Sequence, residues 1–100
     1  MEKFLNDPTD EQAEEIKRLS ALFFTPREIS IMLEISPVHL FVLECENESS
    51  KYFEAFYSGR LQSEVDLRKS IIKLATSGSS PAQTMALDLL NKSKLKMIDR

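Results

Sequence analysis

One hundred residues suffice for one core, and 42% apolar with 29% charged residues is the composition of a folded chain, not a disordered one. Two glycines and four prolines argue against a turn-rich all-β fold. No apolar run reaches the ~20 residues that span a bilayer, and the acidic start lacks the apolar stretch of a signal peptide, which predicts a cytoplasmic protein with no membrane partner.

The first predicted helix runs from about Asp10 to Phe23, with Thr9 as N-cap and Gln12 closing a capping box. Ala13, Ile16, Leu19, Ala21, Leu22 and Phe23 recur mostly at helical spacing against an outer face of Glu11, Glu14, Glu15 and Arg18. Thr25-Pro26-Arg27-Glu28 announces a second helix ending near Leu33: a Thr cap, Pro at the first helical position and Glu two residues after it. Ser36-Pro37 repeats the start signal for a third helix, to Glu44 or Cys45. The polar break Asn47-Glu48-Ser49-Ser50 follows, its last serine placed to cap a fourth helix from about Lys51 to Thr76. That helix would be ~39 Å long at 1.5 Å per residue. Phe53, Phe56, Tyr57, Leu61, Val65, Leu67, Ile71, Ile72, Leu74 and Ala75 wind along it, leaving Arg60, Glu64, Arg68 and Lys69 toward solvent. Gly59, in mid-helix, costs roughly 1 kcal/mol relative to Ala and so marks either a kink or, the preferred reading, close packing against a neighbour. Ser77-Gly78-Ser79-Ser80 is a turn with a glycine C-cap, and Ser80-Pro81 starts a fifth helix to about Lys94. Its face of Ala82, Met85, Ala86, Leu89 and Leu90 should lie antiparallel on the end of helix four. The expected fold is therefore all-α: five helices in a single domain over residues 1–100. Residues 9–46 form a helix-turn-helix part, and 50–96 a long antiparallel helical hairpin serving oligomerisation.

Helices two and three carry the functional argument. Ile29, Leu33, Ile35, Leu40 and Leu43 are spaced as in a helix-turn-helix, which needs one buried aliphatic in a short turn and a cap for the second helix. Ile35 and Ser36 are expected to supply these, and Glu34 stands where such turns commonly place glycine. Base readout at the start of helix three would fall to Ser36 and His39, since Pro37 to Cys45 contains no Lys or Arg. Residues 1–50 hold four bases against eleven acids, whereas 51–100 hold nine against five, so cations near the motif are few: Arg27, Lys51 and, about two and a half turns further on, Arg60. A helix-turn-helix kept as a scaffold for protein contacts or transcription regulation, without strong DNA binding, fits these residues as well. Catalysis finds no support, because no Gly-rich phosphate loop and no partnered nucleophile occurs. His39 and Cys45 match no metal-ligand spacing, and no cofactor is expected. Cys45 reads as a half-buried apolar group, and one cysteine excludes an internal disulfide framework. The apolar band of helix four exceeds what its short neighbours can cover, which predicts self-association through Leu61, Val65, Leu67 and Ile71.

FFTPREISIMLEIS, followed by Tyr57-Ser58-Gly59-Arg60, Leu67-Arg68-Lys69-Ser70-Ile71 and the segment Ala75 to Ala82, resembles the terminase small-subunit-like proteins of tailed bacteriophages and prophages. The resemblance covers about Leu22 to Lys94. It implies a non-enzymatic, DNA-binding subunit for viral genome packaging in a bacterial host cell, assembling into a ring and presenting DNA to a separate ATP-driven large terminase subunit. The chain is short for that family, and a distinct C-terminal segment for contacting the large subunit is not evident.

Overall fold

The computed structural model describes residues 5–98, with side chains described to Ser93. Five helices follow in order: α1 (Asp10–Ala21), α2 (Pro26–Met32), α3 (Val38–Glu46), α4 (Lys51–Thr76) and α5 (Ser80–Ile98). The chain is all-α, and no strand occurs among the described residues.

The starts of α1 and α2 follow from their capping boxes. Thr9 and Thr25 each accept a hydrogen bond from the backbone N–H of Gln12 and Glu28, whose side chains bond back to the cap residues. Ser50 Oγ likewise accepts from the Tyr52 N–H, 3.1 Å away, at the head of α4. The start of α3 departs from expectation. Pro37, not Ser36, is its N-cap, and having no side-chain oxygen it makes no cap hydrogen bond.

Three helix ends share one device. The N–H two residues past the C-cap bonds the carbonyl of the third residue from the helix end, and the N–H before it bonds the next carbonyl. These pairs are Phe24 to Leu19 with Phe23 to Ser20, Ile35 to Ser30 with Glu34 to Ile31, and Ser79 to Leu74 with Gly78 to Ala75. The motif requires a left-handed residue in each case. Gly78 (φ 101°) takes it without strain, but Phe23 (φ 69°) and Glu34 (φ 55°) do so against the Cβ penalty of L-residues. The first helix accordingly stops at Ala21, two residues before the expected Phe23, because Phe23 has already turned.

Packing divides the chain into two units, residues 1–63 and 64–100, with the boundary inside α4 and not at the polar break of 47–50. The first unit holds the core: Ile16 and Leu19 of α1, Ile29 of α2, Ile35 of the turn, Phe41 and Cys45 of α3, and Tyr52, Ala55 and Phe56 of α4. Phe41 and Tyr52 meet edge to face, centroids 5.4 Å apart. The α4 residues facing this core are Tyr52, Ala55, Phe56 and Gly59, with half-buried Arg60 and Ser63 completing a 3–4 spacing. This stripe differs from the expected one, in which Tyr57 and Leu61 counted as apolar face; both are exposed.

In the second unit, residues 64–76 of α4 and α5 form the helical hairpin around the Ser77–Ser79 turn. Gln83 Nε2 donates to the Ala75 carbonyl, 3.1 Å away, at its closed end. Ala82 is buried and Ile71, Ala75, Ala86 and Leu89 are half-buried, a seam of mostly small residues. Met85 and Leu90, expected in that seam, are exposed.

Candidate functional site

The helix-turn-helix is built from α2, the turn 33–37 and α3. Ile35 plugs the turn and is buried with Ile29, as the spacing predicts. The turn is further locked by Ser30, buried in α2, whose hydroxyl donates to the Ile35 carbonyl at 2.6 Å while the Ile35 N–H returns a bond of 2.9 Å to the Ser30 carbonyl. This reciprocal pair lets Glu34 occupy the left-handed position ordinarily given to glycine. The anchors of α3 are Phe41 and Cys45, four residues apart and both buried. Leu43, expected as an anchor, is 57% exposed, because it lies about 200° round the helix from Phe41. Leu40 is half-buried.

The outward surface of α3 forms a shallow open groove with the start of α2, lined by Arg27, Val38, His39, Val42 and Leu43. Arg27 and His39, two of the five expected DNA contacts, thus come together. Ser36 lies on another surface, beside Glu34 and Tyr52, and Lys51 borders the cleft between α1 and α4, with Lys17, Glu14 and Glu54. Ile31 and Met32 of α2 are also exposed, so the helix pair shows solvent a largely aliphatic face with a single permanent cation.

Arg60 has a different place from the one expected. Its Nε donates to the Ser20 carbonyl at 3.2 Å, which also accepts from the Phe23 N–H, and its terminal nitrogen donates to the Phe24 carbonyl at 2.8 Å just past the end of α1. The guanidinium also lies 5.6 Å from the Phe23 ring centroid and 4.9 Å from that of Phe56. At the preceding residue, Gly59, α4 passes so close to α1 that a Cβ there would overlap the Lys17 carbonyl and Ser20 Oγ. Ser63 Oγ donates to the Ala21 carbonyl. Gly59, Arg60 and Ser63 together fasten α4 to the end of α1. Arg60 is thereby half-buried and engaged with backbone carbonyls, not turned to solvent as expected. The adjacent Gly-Arg pair is the sequence signal for this clamp.

Cys45 is buried, and burial, followed by the neighbouring Glu44 and Glu46 carboxylates, pushes its thiol up to about 12. Such a thiol is not a nucleophile at neutral pH. Tyr52 is raised by burial and then by Asp7, Glu44 and Cys45, and its hydroxyl donates to the Asn6 carbonyl at 2.6 Å. No cluster of metal-ligating side chains occurs among the described residues, and none of their helices is long and apolar enough to cross a membrane.

In the hairpin unit, large aliphatics stay exposed on both sides of the seam. At about 100° per residue, Val65 and Ile72 of α4 fall on the same flank as Leu87 and Leu90 of α5, and Leu67 and Leu74 on the other with Met85; all seven are exposed. Of the expected self-association residues, Leu61, Val65 and Leu67 are exposed, whereas Ile71 is half-buried in the seam. Comparison with known proteins gives no match: no family model, curated relative or solved structure is similar to the chain at a significant level.

Proposed function

We propose that the chain is a non-catalytic, self-assembling, DNA-binding subunit of the terminase small-subunit type, acting through the separate large subunit that such proteins serve. The observation that carries this reading is the pairing of a plugged helix-turn-helix with a hairpin whose two flanks both remain apolar. A two-helix hairpin with one apolar flank is completed by a single partner. One with two flanks needs a neighbour on each side, which a head-to-tail arrangement closing into a ring supplies. Within the helix-turn-helix, Arg27 and His39, which line one groove, are the side chains that would meet a duplex, and their small number makes each subunit a weak binder that depends on its neighbours. Light scattering at micromolar concentration, followed by fluorescence anisotropy of the verified oligomer on a labelled duplex, tests the reading. A closed oligomer that binds at low salt is expected; an oligomer that binds no DNA at any salt overturns the DNA part.

One observation favours a second reading. The α2–α3 face carries Ile31, Met32 and Leu43 in solvent, with Glu44 and Glu46 on the same helix as Leu43. Such a face suits a protein partner better than phosphates, and a helix-turn-helix used as a protein-contact or transcription-regulatory module is the reading that survives if DNA binding fails.

A further inference from the structure

The two units carry opposite charge. Residues 1–63 hold six bases against twelve acids, a net −6, and residues 64–100 hold seven bases against four acids, a net +3. Within the first unit two of the six cations are already occupied: Arg18 in an ion pair with Glu15 at 2.9 Å, and Arg60 in its clamp. In the hairpin, Lys69 and Lys73 stand four residues apart on α4, both exposed, and Lys92 is exposed on α5. Arg68, between them and Glu64, is drawn toward that acid at 3.8 Å.

Resting on the DNA reading, we infer that the duplex backbone is held by the hairpin, through Lys69 and Lys73, and not by the second helix of the helix-turn-helix. Lys69 and Lys73 lie on one face of α4, separated by about 6 Å along its axis. That is close to two steps of a phosphate strand at 3.4 Å per charge. Both point away from the Ile71–Ala75 seam; Lys73 lies about 100° from either flank, and Lys69 borders Val65, four residues before it, so an assembly that covers the flanks leaves Lys73 in water and Lys69 at its rim. Asp66 is the acid nearest in sequence on that side of the helix, and the cations outnumber it. Copies side by side then repeat the lysine pair, and affinity grows with the number of subunits engaged, although each contributes few contacts. Contacts of this kind position the DNA without reading its sequence.

The decisive experiment is a salt series of duplex binding by the full-length oligomer, comparing wild type, Lys69→Ala/Lys73→Ala and Arg27→Ala/Lys51→Ala. All four substitutions replace exposed side chains, and circular dichroism with light scattering confirms that fold and assembly are kept. The lysine pair should lower the slope of log K against log salt by about 0.9 for each phosphate no longer neutralised, that is by about two per engaged subunit. The Arg27/Lys51 variant should keep most of that slope. A slope unchanged by Lys69→Ala/Lys73→Ala, with binding abolished in Arg27→Ala/Lys51→Ala, overturns the inference while leaving DNA binding itself in place. Absence of binding by the wild-type oligomer removes both.

Discussion

Gly59 shows how a single atom sets the distance between two helices. Its absent side chain is what lets α4 lie on the Lys17 carbonyl, and backbone is a neighbour that cannot rotate away. Gly59→Ala gains about 1 kcal/mol in helix propensity but must push α1 and α4 apart. A net loss of about 2 kcal/mol is expected, read as a lowered urea midpoint at unchanged m-value; equal or greater stability would mean that the close approach is absent. Cys45 offers a titration at the same scale. Below about pH 9, its ordinary range, the thiol is protonated in both folded and unfolded chains and contributes nothing to the pH dependence. Above it the unfolded chain ionises while the native thiol holds its proton up to about 12, so the unfolded state gains and stability falls across that window. Tyr52, also raised, works in the same direction. Urea midpoints at about pH 8 and about pH 10.5 should therefore differ less in Cys45→Ala than in wild type, and native Cys45 should alkylate far more slowly than the unfolded thiol.

Among the elements, α2 and α3 begin with the same Ser/Thr-Pro signal but start differently. Thr25 reaches the Glu28 N–H, whereas α3 is capped by Pro37, which leaves the Ser36 hydroxyl without that function. Thr25→Ala should cost about 1 kcal/mol, and Ser36→Ala should fall within about 0.5 kcal/mol of wild type; equal losses at both sites in thermal unfolding would restore Ser36 as a cap. The register of α3 is tested by a second pair. Phe41→Ala should cost about 3–5 kcal/mol because it empties the centre of the core. Leu43→Glu, on the solvent side, should leave the denaturant midpoint almost unmoved. The reverse order would rotate α3 by half a turn.

For the whole molecule the quantity at issue is exposed aliphatic area. The hairpin buries Ala82 and little else among its described residues, and a pair of helices so thinly packed gains most of its stability from what covers its flanks. Leu67→Asp and Leu74→Asp, one flank of α4, should shift the mass in light scattering toward smaller species while the far-ultraviolet helical signal of the 1–63 unit persists. Ile71 is a poorer probe, since a charge in the seam disturbs the hairpin itself. A protein that is monomeric at every concentration would leave the flanks without a function.

The sequence alone carried whatever depends on neighbours three or four residues apart. The capping boxes at Thr9 and Thr25, the bounds of α4, the glycine end of that helix, the plug at Ile35 and the all-α class all rest on local backbone hydrogen bonding and helical period, and the residues that specify each lie close together in the chain. Tertiary structure decided which apolar residues face inward. Along α4 the inner stripe is Tyr52, Ala55, Phe56 and Gly59. Apart from Phe56 its members are small or partly polar, and beside Phe53, Tyr57 and Leu61 only the approach of α1 selects them. The same approach turned Arg60 from a free cation into the clamp on the end of α1, because the acceptors it meets, on Ser20 and Phe24, lie 40 and 36 residues away in the chain. The charge asymmetry of the two halves is legible in the sequence, but packing set its boundary: the acidic unit ends where the contacts of the first core stop, at Ser63, and the basic hairpin begins inside α4.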